Sequence, residues 1–263
     1  MIQQAYITAW SRQAPWPTNE QVEQDLVICR ALVEIFSDPW LASGLAFRGG
    51  TALHKLYLDP QPRYSEDIDL VQVRAEPIKE TVQRLQERLA FLGKAETEPR
   101  KDGIRLKYRF DSEFPPSRRL RLKIEINTRE HFTVLGYRQF PFEVQSPWFT
   151  GQCELTTYQL EELLGTKLRA LYQRRKGRDL FDMHKPLLQT GELDIDKVLH
   201  CYREYMKFSV AQPPSQKEYL MNMQAKLKDS EFSGDTRALL RPEEQYNQDE
   251  AWEKVKTIFI EKI

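Results

Sequence analysis

Cysteine is scarce in this 263-residue chain: Cys29, Cys153 and Cys201 are odd in number and scattered, with no CxxC spacing. That pattern excludes a disulfide framework and argues against a zinc site, and it fits a reducing compartment. Long apolar runs are missing too. Even Leu26 to Val33 is interrupted by Arg30, and nothing approaches the roughly 18–20 residues that cross a bilayer. The opening stretch, MIQQAYITAWSRQAPW, lacks the charged start and apolar middle of a signal peptide. A cytoplasmic protein with no membrane partner is therefore expected. Net charge is absent as well, because 39 Lys and Arg balance 39 Asp and Glu. Non-specific attraction to nucleic acid is not the default, and any such affinity has to come from local charge. No internal repeat and no low-complexity tract is visible.

Hydrophobic residues make up 40% and aromatics 11% of the chain, enough to bury a core and to exclude overall disorder. Thr18 reads as the N-cap of a helix whose apolar residues Val22, Leu26, Cys29, Val33 and Phe36 recur at helical spacing, ended by Asp38-Pro39. Leu45 to Phe47 is a short strand stopped by Gly49-Gly50, and Thr51 to Tyr57 makes one or two helical turns. Asp59-Pro-Gln-Pro62 forces a loop, and Asp67 to Val73 returns as a strand. Ile78 to Leu92 forms a second amphipathic helix. Two alternating strands follow, one with Ile104, Leu106, Tyr108 and Phe110 on one face, the next with Leu120, Leu122, Ile124 and Ile126. Phe140-Pro-Phe142 and Ser146-Pro147 predict an irregular stretch. From Thr156 the pattern is helical, in segments near 157–175, 178–190, 194–209, 215–229 and 247–262. The change of pattern near residue 150 predicts two domains, 1–150 and 151–263.

The chemistry-bearing stretch is Phe47-Arg-Gly-Gly-Thr-Ala-Leu-His-Lys-Leu-Tyr57, followed from Tyr64 by Ser-Glu-Asp67-Ile-Asp69-Leu-Val. A strand, a glycine turn and a helix present free backbone N–H groups where an anion approaches closely. Asp67 and Asp69, two apart on a strand, project from one face. Neighbouring carboxylates repel unless a cation lies between them, and Mg²⁺ takes carboxylates together with phosphate oxygens and waters. A glycine cradle beside such a pair is equipment for phosphoryl or nucleotidyl transfer. Taken singly, either feature is an ordinary turn or a solvated strand edge.

Gly49-Gly50-Thr51 followed by Asp67-Ile-Asp69 resembles the signature of the polymerase-β-like nucleotidyltransferase superfamily. The fuller string, Gly-Gly-Thr-Ala-Leu-x-Lys-x-Tyr through Arg63-x-Ser-Glu-Asp-Ile-Asp-Leu, resembles the AbiEii/MenT family of toxin nucleotidyltransferases. The likeness is dense over 47–71 and returns over 165–183. It implies an α/β (α+β) nucleotidyltransferase core with a mixed sheet, followed by an all-α C-terminal domain that contributes to the active site. It also implies a toxin that moves a nucleotide from an NTP to RNA, tRNA 3′ ends foremost, and an antitoxin encoded beside it.

Lys167 falls on or beside the buried stripe Leu160, Leu163, Leu164, Leu168 and Leu171. Such a lysine snorkels or meets an anion, and the resemblance, which has a lysine here, favours an NTP phosphate. Asp179 and Asp182 share a helix face and match the family's R-D-x-x-D-like motif. Asp182 is the stronger active-site candidate, since Asp179 suits a cap and Arg178 with Asp182 suits an ion pair. Seven Lys or Arg stand against two acidic residues over 167–185, a run expected to gather positive potential for a triphosphate or an RNA backbone. Glu125 lies on the polar face of its strand, either as a third metal ligand beside Asp67 and Asp69 or as a cross-strand partner of an arginine. Ser65 and Arg48 are candidate phosphate contacts, and the four histidines read as core or surface residues. The combined expectation is a transferase in which Asp67 and Asp69 bind Mg²⁺, Gly49, Gly50 and Thr51 hold the triphosphate, and Lys167 neutralises developing charge. Modification of a protein or small molecule, or nucleotide binding without catalysis, are the competing readings.

Overall fold

The Thr18 hydroxyl accepts from Gln21 N while the Gln21 side chain accepts from Thr18 N, a reciprocal cap that starts the longest helix. The computed structural model describes residues 2–263. Helix α1 (Gln4–Trp10) precedes this capped helix, α2 (Asn19–Phe36), and Asp38 caps a short α3 (Pro39–Gly44). Then come β1 (Leu45–Arg48), α4 (Gly49–Leu56), β2 (Asp67–Gln72) and α5 (Lys79–Arg88). Five strands follow: β3 (Glu96–Arg100), β4 (Gly103–Asp111), β5 (Arg119–Asn127), β6 (Tyr137–Gln145) and β7 (Thr150–Tyr158). The remainder is helical, with α6 (Leu160–Gln173), α7 (Gly177–His184), α8 (Pro186–Gln189) and α9 (Ile195–Ser209). It closes with α10 (Gln216–Leu227), α11 (Ser230–Gly234) and α12 (Gln248–Ile258). The fold is thus a mixed sheet with helices, followed by an all-helical part.

The seven strands form one sheet in the order β3-β4-β5-β2-β1-β7-β6. The β2–β5 and β1–β7 pairings are parallel and the others antiparallel. Register sets the faces. Phe47 lies beside Leu70, Leu70 beside Ile126, and Ile68 beside Ile124, which pairs on its other side with Leu106. All of these are buried and share one core with Val22, Leu26 and Val33 of α2, each side chain contributing about 1.5–3 kcal/mol. The opposite face is charged, with two carboxylates flanked by arginines. Arg48, Asp69, Glu125 and Arg105 lie side by side across β1, β2, β5 and β4.

A second core unites Leu164 and Leu168 of α6, Leu180 of α7, Tyr202 of α9 and Trp252 of α12. Helix α4 belongs to both cores, with Ala52 and Leu56 in the first and Leu53 in the second. The loop before β2 is also tied to the C-terminal half, through Tyr64 N to Leu239 O (2.8 Å) and Arg241 N to Pro62 O (3.1 Å). The motif therefore lies where the sheet meets the helices. One local expectation fails in part: Phe140-Pro-Phe142 is not irregular but lies in the edge strand Tyr137–Gln145, while Ser146-Pro147 falls in the irregular link to β7. An edge strand tolerates a missing N–H on its outward side.

Candidate active site

Gly49 begins α4 with φ +83°, and a Cβ there would lie 2.0 Å from Asp69 Oδ2. The carboxylate of β2 is thus pressed against the bare backbone where β1 turns into α4, and only glycine permits both the conformation and the approach. A Cβ on Gly50 would stand 2.7 Å from Arg63 Nη2, 3.4 Å from Ser65 Oγ and 3.5 Å from Lys167 Nζ. Gly50, Ser65, Asp67, Asp69, Glu125 and Lys167 all line one cavity of about 280 Å³, with Arg63, Arg105, Arg174 and Arg178 among its walls. The structure therefore brings together most of the residues singled out in the sequence.

Thr51 is in a different position. Its buried hydroxyl donates to the Asp67 carbonyl and shares a 2.8 Å hydrogen bond with Ser65 Oγ, so it clamps α4 to β2 and does not face the cavity. Arg48, also absent from that cavity, is paired with Glu130, which Arg169 contacts from the other side at 2.6 Å.

Asp182 is fully buried beneath the cavity. Arg63 grips both its oxygens at 2.7 Å, Lys167 Nζ lies 2.7 Å away and His54 Nε2 hydrogen-bonds it at 2.8 Å. Burial pushes its pKa up, but Arg63, Lys167 and His54 outweigh that and hold it well below the usual carboxylate range. His54 is driven the other way, down to about 4, by burial and then Arg63, so it stays neutral at pH 7. Asp179, equally buried, receives Arg174 at 2.7 and 3.1 Å and Lys167 at 3.3 Å. Three cations thus share two carboxylates, leaving positive charge over for an anion in the cavity. Both aspartates orient cations; neither is among the residues that line the cavity. The i,i+4 pairing of Arg178 with Asp182 does not form, as Arg178 turns to Asp235 at 3.8 Å.

The half of the cavity formed by Asp67, Asp69 and Glu125 is acidic. Burial raises the Asp67 carboxyl to about 6, with Lys123 opposing and Asp69 and Glu66 adding to the rise. Asp69 is raised as well, by burial first and Glu125 next, against the pull of Lys167, Arg174 and Arg48. Two carboxylates held this way fit a divalent cation, since it would relieve both burial and repulsion. Lys123 Nζ, 3.2 Å from Asp67 Oδ1, supplies part of that positive charge. Glu125 is the cross-strand partner of Arg105, at 2.6 Å. Among the described residues no three His, Cys, Asp or Glu side chains converge on one ion position.

The basic run after Lys167 does not gather free charge as expected. Arg174 pairs with Asp179, Arg175 with Asp229 (2.9 Å), Lys176 with Asp235 (3.5 Å) and Lys185 with Glu244. Apart from Asp179, the partners come from later helices and loops, which spacing within the run does not show. Arg63 and Lys123 stand beside the site with no role assigned from the sequence, Arg63 signalled only by its place at the head of the Arg63-x-Ser-Glu-Asp string, while Arg174 belongs to the basic run and His54 is the buried histidine expected of a core residue.

Comparison with known proteins agrees with this geometry. Among solved structures the chain is similar to the nucleotidyltransferase toxin MenT4 from Mycobacterium tuberculosis, with TM-score 0.71 and 17% identity, covering 100% of this chain and 91% of that one. It is also similar to JHP933 from Helicobacter pylori, with TM-score 0.55 and 17% identity over 92% and 90% of the two chains. A putative nucleotidyltransferase from H. pylori gives TM-score 0.53 and 17% identity over 92% and 93%. At such identities the likeness establishes the fold. No curated protein matches. The family model described as "Nucleotidyl transferase AbiEii toxin, Type IV TA system" matches residues 30–257. The chain therefore belongs to the AbiEii family of nucleotidyltransferase toxins of type IV toxin–antitoxin systems.

Proposed function

We propose that this enzyme transfers a nucleotide from an NTP to a hydroxyl of an RNA acceptor, the 3′ end of tRNA foremost, using Mg²⁺ held by Asp67 and Asp69. The observation that carries this reading is the seat of Asp69 against the Gly49 backbone, inside a cavity shared with Asp67 and Lys167. When bound, the ion would supply charge neutralisation at the phosphates. The Gly49–Gly50 bend receives the triphosphate at the start of α4, where Lys167 and Arg63 lie beside Gly50. Lys167 stabilises negative charge as it develops on the phosphates, and Asp182 and Asp179 fix its ammonium in place. Glu125, held by Arg105, orients the acceptor hydroxyl. The acceptor oxygen bonds to the α-phosphorus, the bond to the bridging oxygen of pyrophosphate breaks, and the hydroxyl proton leaves to a nearby carboxylate or to solvent. In this reading residues 1–150, together with strand β7 up to Tyr158, form the transferase core, and the helices from α6 onward form the domain that lends it Lys167. The toxin class implies an antitoxin, proposed to be encoded by the adjacent gene.

Purified protein incubated with each α-labelled NTP, Mg²⁺ and total tRNA tests the reading. Label should appear in RNA with at least one NTP and vanish with Asp67→Ala or Asp69→Ala. Label in protein alone, or in no acceptor, contradicts it.

A further inference from the structure

The cavity at Asp67 and Asp69 is one end of a longer groove. Asp69 and Glu125 also form a wall of a second cleft of about 380 Å³, lined by Arg48, Arg100, Lys101 and Asn127. That cleft in turn shares Lys101, Asp102 and Asn127 with a third of about 630 Å³, whose far side holds Arg129, Arg169 and Phe208. The groove leaves the sheet at the ends of β3 and β5 and runs toward the end of α9.

Its charge differs from that of the basic run at 174–178. Among the described residues, Lys101 and Arg129 are exposed and no carboxylate pairs with either. Arg48 and Arg169 converge on the single Glu130, whose carboxyl the two arginines hold down at about 2 against the effect of burial. Two guanidinium groups on Glu130, with Lys101 and Arg129 outnumbering Asp102, leave the groove positive.

The far end carries an aromatic platform. Phe208 is 52% exposed, unusual for so large an apolar side chain. Its ring lies 5.3 Å from Phe132, which stacks at 4.8 Å on the buried Tyr205. Arg169 covers the Tyr205 ring at 5.2 Å. Phe208 is therefore backed by fixed rings while its other side stays open.

Resting on the transferase reading above, we propose that this groove seats a single-stranded RNA acceptor, its 3′ end at Asp69, its phosphates beside Lys101 and Arg129, and one base stacked on Phe208. Unpaired cations along a track with an open aromatic face are what a single strand requires: phosphates at intervals and a free base plane. A duplex keeps its base faces covered and gains nothing from Phe208.

Fluorescence anisotropy with a short unstructured RNA, labelled away from its 3′ end, tests the groove across a salt series. Binding of an NTP with Mg²⁺ is followed separately by calorimetry. Phe208→Ala should weaken RNA binding about tenfold, and Phe208→Trp should restore it. Lys101→Ala and Arg129→Ala should each lower the salt slope by about 0.7. RNA affinities and slopes equal to wild type in all of these variants would overturn the groove while leaving an RNA acceptor in place. Wild-type protein that binds the NTP but no RNA would overturn the acceptor reading and the groove together.

Discussion

Asp182 lies under the cavity as the common partner of Arg63, Lys167 and His54. A buried carboxylate that loses its role leaves uncompensated cations, so Asp182→Asn should cost about 3–5 kcal/mol in urea unfolding. Gly49→Ala acts in the opposite manner, chiefly on activity. The new methyl at φ +83° meets Asp69 at 2.0 Å, and a displacement of that carboxylate by an ångström should lower kcat about 100-fold in single-turnover transfer assays. Asp67, Asp69 and the two glycines were legible because strand parity and a glycine pair are local features. The grip of Arg63 on Asp182 spans 119 positions, and no periodicity within either segment points to the other.

At the scale of elements, α2 carries a buried anomaly. Glu23 is almost wholly enclosed on α2 and accepts from the Glu113 amide at 3.1 Å. Burial raises its pKa to about 7, the Glu113 amide opposes, and the charges of Glu113 and Glu20 add to the rise. The folded state thus holds the Glu23 proton more tightly than the unfolded chain does. Its contribution is greatest below about pH 4.5 and is lost as pH rises toward 7. Glu23→Gln should remove that loss, stabilising the protein by about 1–3 kcal/mol above pH 7 with little change near pH 4. Unfolding curves at both pH values check the sign.

Elements were unevenly legible. Helix α2 and strands β4 and β5 announce themselves by a cap and by strict alternation. Both sheet edges did not. Strand β3 holds Pro99 in a segment with no buried residue, and β6 holds Pro141. Proline at an edge hinders pairing with another chain, so the feature that protects the edge also hides the strand. Strand β7 is hidden too, since its last residues lead almost directly into the helical pattern of α6.

Across the whole molecule, the cavity lies between two hydrophobic cores that α4 joins. Asp67 and Asp69 come from the sheet, Lys167 and its aspartate supports from the helices. A nucleotide bound in the cavity as proposed would contact both halves and should raise the unfolding midpoint. At a hundredfold excess over Kd the gain is about 2.7 kcal/mol. The increase should disappear in Asp69→Asn if metal and nucleotide bind together, and thermal scans with and without Mg²⁺ and NTP show whether they do. Sequence implied this joint construction only through the family resemblance, since composition and spacing say nothing of how the halves meet. Among the described residues no helix is long and apolar enough to cross a membrane.

Crystals grown with a non-hydrolysable NTP and Mn²⁺ in place of Mg²⁺ test the central claim most directly. The account predicts an anomalous peak in contact with both Asp67 and Asp69, with the triphosphate at the Gly49–Gly50 bend and Lys167 against it. A nucleotide bound elsewhere, or an ion that touches neither aspartate, would contradict it.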